Sequence, residues 1–240
     1  MLTDRSMEQT VRKLNRLCAT LRERIFCPVG QASVTGCFQT TEPLHRIPDA
    51  TCFSSVPETW GGEGMYAWFL MDYTVPETLA GQALYLYPHI ASYESTLWVN
   101  GRIHSNYAAK FNEGSHGNHW CNRFAASACP GDHYDFALEC YAWHDMPGTA
   151  PLSDESLRDY TYRVGTVDVC VRDEQFFDFL FDLQTLLSLR RALNSDSFRR
   201  AEVENALYAA QGCTVIKVSS TGKTDQSIRI FTITAASTGP

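Results

Sequence analysis

Between residues 65 and 173 the chain repeats one theme: short runs of aromatic and β-branched residues, each closed by proline or glycine. The runs are YAWFLMDYTV (66–75), ALYLYPHI (83–90), STLWVN (95–100), DHYDFALECYAW (132–143) and YRVGTVDVCVRD (162–173). Pro76, Gly81, Pro88, Gly101, Pro130-Gly131 and Pro147-Gly148 break them. Residues of these types fit a pleated, half-buried surface, so each run is a strand candidate. In the fourth run Tyr134, Phe136, Leu138, Cys140 and Ala142 alternate with Asp135, Ala137, Glu139, Tyr141 and Trp143. That period of two places one set in a core and leaves the other partly wet. Val167, Val169 and Val171 do the same opposite Asp168 and Cys170. Asn100-Gly101, directly after STLWV, suits a type I′ hairpin turn because both positions tolerate positive φ. Five such segments predict an antiparallel β-sandwich.

Helical periodicity flanks this region. Val11, Leu14, Cys18, Leu21 and Ile25 form one stripe at spacings of three and four, and Pro28 and Gly30 end it. After Arg172, Phe176, Phe179, Leu180, Leu183, Leu186, Leu187 and Leu193 return to helical spacing. Asp173 and Glu174 sit in the first turn and Arg190 and Arg191 in the last, as the helix dipole favours. A second helix over 197–211 stops at Gly212, and the pair makes a helical hairpin joined near 194–196. Residues 27 to 65 hold Pro28, Pro43, Pro48, Pro57 and Trp60-Gly61-Gly62-Glu63-Gly64, which reads as an irregular connection. The expected organisation is therefore mainly β with α flanks. An N-terminal helix and linker occupy 1–47, the sandwich 48–173, the helical hairpin 174–212, and a β-like tail 213–240.

Composition narrows the partners. The formal net charge is −7, with Lys and Arg numbering 20 against 27 Asp and Glu. Proteins that bind a phosphate backbone concentrate basic residues, so nucleic acid is not an expected partner. No apolar run approaches the ~20 residues that cross a bilayer, and MLTDRSMEQTVRKLNR lacks the apolar stretch of a signal peptide. The nine cysteines (Cys18, Cys27, Cys37, Cys52, Cys121, Cys129, Cys140, Cys170 and Cys213) are odd in number and contain no Cys-x-x-Cys pair. They read as reduced packing residues of a cytoplasmic protein rather than a disulfide framework.

Catalytic constellations are missing from the sequence. There is no phosphate loop, dinucleotide fingerprint, Gly-x-Ser-x-Gly elbow or His-Glu-x-x-His. Trp60-Gly61-Gly62-Glu63-Gly64 follows no strand-to-helix pattern and reads as a turn. His116, His119, Cys121 and His133 allow a mixed zinc site to be drawn, but nothing in their spacing fixes a second ligand pair. Stacking on aromatic rings is how sandwich domains hold sugars. Trp68 and Trp98 lie inside apolar strands and are expected in the core, whereas Trp60 and Trp120, beside loops, are the carbohydrate-binding candidates, with His119 next to the latter.

The run YAWFLMDYTVPETLAGQALYLYPHIASYESTLWVNGRIHSN resembles the accessory β-sandwich that precedes the catalytic domain in bacterial and cytosolic α-mannosidases of glycoside hydrolase family thirty-eight. The residues that carry the resemblance are Trp68-Phe69, Val75-Pro76-Glu77, Ala80-Gly81 and Val99-Asn100-Gly101. Asn118-His119, Pro130-Gly131 and Glu139 with Tyr141 continue it, and the helix, sandwich and helical hairpin come in the family's order over about residues 10 to 215. The resemblance implies a jelly-roll or galactose-binding-like sandwich. It also implies a parent that hydrolyses terminal α-mannosides with retention, using a zinc-like divalent ion. The family's His-x-His-x-Asp strand and its nucleophilic Asp have no counterpart in 213–240, so this chain is expected to be non-catalytic and to need no cofactor itself. Its expected partner is the catalytic domain of the parent chain, against which the helical stripes would leave apolar surface. The alternative is a module that binds mannose-containing glycan. A self-contained metal hydrolase using His116, His119 and His133 is the third reading.

Overall fold

The computed structural model describes residues 4–107, 121–144, 160–216 and 228–230. The chain divides into two compact units, one formed by residues 25–173 and the other by 1–24 with 174–240.

The first unit is a mainly antiparallel β-sandwich. Its eight-stranded sheet comprises β1 (Phe26–Thr40), β3 (Tyr66–Thr74), β4 (Leu84–Pro88), β5 (Glu94–Val99), β6 (Arg102–Tyr107), β7 (Asn122–Ala125), β8 (His133–Tyr141) and β10 (Val167–Arg172). The spatial order is β6-β5-β8-β3-β1-β10-β4-β7. A separate ladder pairs β2 (Thr59–Gly61) with β9 (Thr161–Arg163).

Strand β1 is the hinge of the sandwich. Its first half pairs with β10 and its second half with β3, and the register shifts between Pro28 and Gly30 and again between Val34 and Gly36. Bulges bend a strand and increase its twist, so one continuous strand can serve both layers. The first half has β10 as its ladder neighbour on one side, which is how Pro28 is accommodated, and the second half adds to its β3 pairing a single bridge from Cys37 to Ser54. The irregular connection expected over 27–65, which includes the linker part of 1–47, is therefore corrected for residues 27–40, which belong to β1 of the sandwich. Proline and glycine mark the bulges rather than the absence of a strand. The final run (162–173) also splits, Thr161–Arg163 going to β9 and Val167–Arg172 to β10.

Side chains from both layers meet in one core. Leu84, Leu86, Val167 and Val169 face Phe69, Met71, Leu97, Phe136, Leu138 and Cys140, all buried. The alternation in 134–142 assigns the β8 contributors correctly. Across the open edges, His104 Nε2 bonds the Arg123 carbonyl at 2.7 Å and Asn122 Nδ2 donates to the Asn106 carbonyl at 3.1 Å. These side-chain bonds draw β6 towards β7, limiting the exposed edge backbone that would otherwise invite pairing. The β5–β6 turn is as expected: Asn100 and Gly101 have φ of 49° and 77°. Asn100 also donates its N–H to the Asp135 carbonyl at 2.8 Å and accepts from the Asp135 N–H through Oδ1 at 2.9 Å, pinning the turn to β8.

The outer face of β3, β8 and β5 carries a second, smaller apolar cluster. Trp68, Trp98 and Ala137 are buried there beneath Leu44, Ile47 and Phe53 of the 41–53 segment. Both tryptophans are core residues, as expected, with ring centroids 5.7 Å apart. Glu139 lies between them, opposite Trp68 on β3 and Thr96 on β5. Burial pushes its carboxyl above the ordinary 4.5, against the opposing pull of the Trp98 indole, His45 and the Leu44 N–H. Among the described residues the Trp68 indole N–H finds no hydrogen-bond partner, and the Trp98 indole acts on Glu139 from just outside hydrogen-bond geometry. Because the folded state holds the Glu139 proton more tightly, the unfolded chain ionises first as pH rises. Folding stability is thus lost between the ordinary carboxylate value and the raised one, and the deficit persists above it. Glu139→Gln is expected to flatten this fall, so that urea midpoints of the two proteins differ by different amounts at about pH 4 and about pH 7. Parallel midpoints at both pH values would refute the assignment.

The second unit contains α1 (Asp4–Arg22), α2 (Glu174–Ala192) and α3 (Phe198–Cys213), with every pair of helices packed together. A two-stranded ladder joins β11 (Thr214–Ile216) to β12 (Ile228–Ile230). On α1, Met7, Thr10, Leu14, Leu17, Cys18 and Leu21 are buried; on α2, Leu180, Leu183 and Leu187; on α3, Val203 and Leu207. Ser197 caps α3, its Oγ accepting from the Arg200 N–H at 3.1 Å. Glu204 binds Arg190 of α2 at 3.0 Å and Arg200 of its own helix at 3.2 Å, holding the hairpin closed. Apolar surface remains open on these helices: Phe181 and Leu189 on α2, Tyr208 and the 80%-exposed Phe198 on α3. No helix among the described residues is long and apolar enough to cross a membrane.

Candidate functional site

The glycine-rich Trp60–Met65 segment organises one end of the sandwich. Gly62 donates its N–H to the Tyr160 carbonyl at 3.0 Å and Gly64 donates to the Trp143 carbonyl at 2.8 Å. Both acceptor residues have left-handed backbones, with φ of 51° at Tyr160 and 79° at Trp143. A bulky side chain rarely adopts that conformation, and the cost is carried only where surrounding contacts hold it. At Trp143 those contacts are aromatic as well as backbone: its indole stacks on Tyr93 with centroids 4.0 Å apart.

Around Trp143 an aromatic group continues onto the sheet. The His144 ring stacks on the indole at 5.7 Å, and Tyr141 meets both rings edge-on at 6.2 and 6.1 Å. The Tyr141 hydroxyl hydrogen-bonds His144 Nδ1. Tyr66, directly opposite Tyr141 in the β3–β8 ladder, stacks on it at 4.7 Å. Glu94 is the partner of Tyr141 in the β5–β8 ladder. Tyr66, Tyr141 and Trp143 are half-buried, Tyr93 is buried, and Glu94 and His144 are exposed. Burial raises the phenols of Tyr93 and Tyr141, and the Glu94 carboxylate raises both further. The arrangement therefore offers apolar ring surface edged by hydroxyls, an imidazole and an anionic acceptor. That combination suits a ligand with one apolar face and a rim of hydroxyl groups.

Of the three site residues expected from sequence, Trp60 is corrected. It is 2% exposed, its indole N–H donates to the Ala91 carbonyl at 2.9 Å, and its ring stacks on Tyr162 at 5.3 Å and meets Phe69 edge-on at 6.1 Å. No ring face is left for a sugar. Loop proximity suggested exposure, but Trp60 occupies β2, whose partner β9 and the sheet behind it enclose the ring. Trp120 and His119 lie outside the described residues, as does His116. His133 is occupied locally, its Nδ1 2.9 Å from Thr74 Oγ1 and its Nε2 3.3 Å from Asp135. Among the described residues no three His, Cys, Asp or Glu side chains converge as a metal site would require. Trp143 was eligible from sequence as one of the five tryptophans, whereas Tyr66, Tyr93, Glu94, Tyr141 and His144 escaped the sequence reading as site residues. The signal was present in β8, where Tyr141 and Trp143 fall on the wet phase of the alternation.

At the far end of the same outer face, a groove of about 310 Å³ is lined by Ile47, Leu70, Asp72, Gly101, Asp135 and Ala137 among others. Asp72 and Asp135 stand directly opposite in the β3–β8 ladder. Elsewhere His89 Nε2 lies 2.9 Å from Asp168 Oδ2, and Gln31 Nε2 donates to Asp168 Oδ1 at 3.1 Å.

No family model and no curated protein matches this chain. Solved structures similar to it include the β-glucuronidase of Faecalibacterium prausnitzii, 14% identical with a TM-score of 0.37 over 62% of this chain and 32% of that one. That of Bacteroides uniformis is 13% identical with a TM-score of 0.39 over 60% and 17%. That of Ruminococcus gnavus is 11% identical with a TM-score of 0.40 over 62% and 29%. The chain spans about a third or less of each of these proteins.

Proposed function

We propose that this chain is a non-catalytic accessory region of an α-mannosidase-type glycoside hydrolase, and that Tyr66, Tyr141, Trp143 and His144 form a surface that holds mannose-containing glycan. The observation that carries the glycan reading is the aromatic group itself. Several rings are kept partly open at one end of a sandwich, and the indole at its centre is held in a costly backbone conformation by Gly64. Structural aromatics of this domain, such as Phe69 and Phe136, are instead fully enclosed. Recognition here is stacking with hydrogen bonds at the rim; the parent's zinc-like ion and its acid–base chemistry belong to its catalytic domain. That domain is the proposed partner; the helical stripe residues themselves are buried or half-buried, and the apolar surface that suits an interface is instead Phe181, Leu189 and Phe198. Neither nucleic acid nor membrane is a proposed partner, and the five described cysteines that are buried suit a cytoplasmic protein.

Titration with methyl α-mannoside and manno-oligosaccharides, followed by tryptophan fluorescence and saturation-transfer NMR, tests the glycan reading. Binding on the order of 1 mM is expected, the range of a small stacking site. Tyr66→Ala and His144→Ala are each expected to weaken it roughly tenfold, equivalent to about 1.4 kcal/mol. His144 is exposed, so its replacement separates lost binding from lost folding. Silence of the unaltered protein at tens of millimolar sugar, on the order of ten times the expected Kd, would sink the reading. The α-mannosidase assignment is supported by the order of helix, sandwich and helical hairpin and by Val99-Asn100-Gly101 at the β5–β6 turn. A reading frame running past codon 240 into a His-x-His-x-Asp strand is the expected finding, and one running into another catalytic class overturns it.

A further inference from the structure

We infer that the aromatic surface selects uncharged sugars and that Glu94 is the residue that sets this selectivity. The inference rests on the glycan reading above and adds a class of ligand and a discriminating group. Glu94 is exposed, precedes β5 residue Ser95 in the chain, follows Tyr93, and stands directly across the ladder from Tyr141. Its position is fixed by backbone pairing on β5, and the Tyr93 N–H donates to the Tyr141 carbonyl at 3.0 Å beside it. Its charge reaches both phenols that edge the surface, and each electrostatic influence resolved at Tyr141, from Tyr66, Glu94 and Tyr93, acts in the same raising direction. No arginine or lysine belongs to the group among the described residues, and the chain as a whole carries −7. Within the group, Glu94 is the carboxylate, and it stands directly across from Tyr141.

The chemistry follows from what a carboxylate can accept. With a pyranose laid by its C–H face on the rings, two neighbouring hydroxyls at the rim can donate to the two oxygens of Glu94, forming charge-assisted bonds. A uronic acid brings its own carboxylate to that rim. Held at hydrogen-bonding distance, the two like charges repel even through solvent, whereas a hydroxyl at the same place donates to Glu94. Neutral hexosides are thus the ligands, and glucuronides and other anionic sugars are turned away.

The full chain, titrated in parallel with methyl α-mannoside, methyl α-glucoside and methyl β-glucuronide by saturation-transfer NMR and calorimetry, tests this. Both neutral glycosides are expected to bind, with the glucuronide roughly tenfold weaker or more. Glu94→Gln keeps the shape and removes the charge. It is expected to weaken the neutral glycosides about fivefold while strengthening the glucuronide, closing the gap. Equal binding of neutral and anionic glycosides by the unaltered protein overturns the inference while leaving the aromatic surface in place. A Glu94→Gln protein whose preference is unchanged overturns the role of Glu94. Silence towards all three sugars removes the platform itself, a separate and recognisable failure.

Discussion

Gly61→Ala is expected to destabilise the sandwich unit by about 3 kcal/mol, combining backbone strain with overpacking against a rigid neighbour. Gly61 has φ of +127°, and a Cβ there would lie 2.0 Å from the Tyr160 carbonyl oxygen. That oxygen cannot retreat freely. It accepts the Gly62 N–H, and Tyr160 adjoins β9, whose Tyr162 packs on Trp60. The β2–β9 ladder must open or shift as a whole, and with it the backbone that presents the aromatic group. Gly131→Ala supplies the comparison: φ is +83° there too, yet a Cβ meets nothing within 4 Å. Its cost should stay near the intrinsic left-handed penalty of about 1 kcal/mol. Urea midpoints at constant m separate the two cases, and equal losses would show that the Tyr160 carbonyl is not the obstacle. The same contact explains why this segment is rich in glycine: it is a backbone clasp around Tyr160 and Trp143.

The helices and most of the core strands were legible in the sequence because their physics is local. The stripe around Leu14, Cys18 and Leu21, the dipole-matched ends of α2 and the alternation in 134–142 each reflect a periodicity that burial imposes within one element. Asn100-Gly101 was legible for a related reason, since its backbone preference is intrinsic to the two residues. Strand β1 was not. Its proline and glycines serve bulges whose purpose is to pass one strand between two layers, a requirement visible only when both partners, β10 and β3, are in place. The candidate site was half legible. Alternation put Tyr141 and Trp143 on the wet phase of β8, but the approach of Tyr66, Tyr93 and Glu94 depends on the order β5-β8-β3, which no local pattern encodes. Trp60 failed in the opposite direction. A tryptophan beside a glycine-rich turn resembles a loop residue until the pairing of β2 with β9 is known.

Trp60→Ala is therefore expected to act on folding and not on sugar. The indole lies within the main core, 2% exposed, with edge-on contact to Phe69, a stack on Tyr162 and one hydrogen bond to the Ala91 carbonyl. Truncating a buried tryptophan leaves a cavity that the close-packed surroundings fill only in part, and costs about 3–5 kcal/mol. The Ala91 carbonyl also loses its donor, which adds to the loss unless water enters. Trp60→Phe keeps an aromatic ring against Phe69 and Tyr162 and should recover more than half of the stability. In that folded variant, mannoside affinity should match the unaltered protein, because the proposed glycan surface is built on Tyr66, Tyr141, Trp143 and His144. Calorimetric unfolding and sugar titration on the same samples make the two roles independent observables. A Trp60→Phe protein of near-normal stability that has lost sugar binding would return Trp60 to the site and displace the aromatic group as its centre.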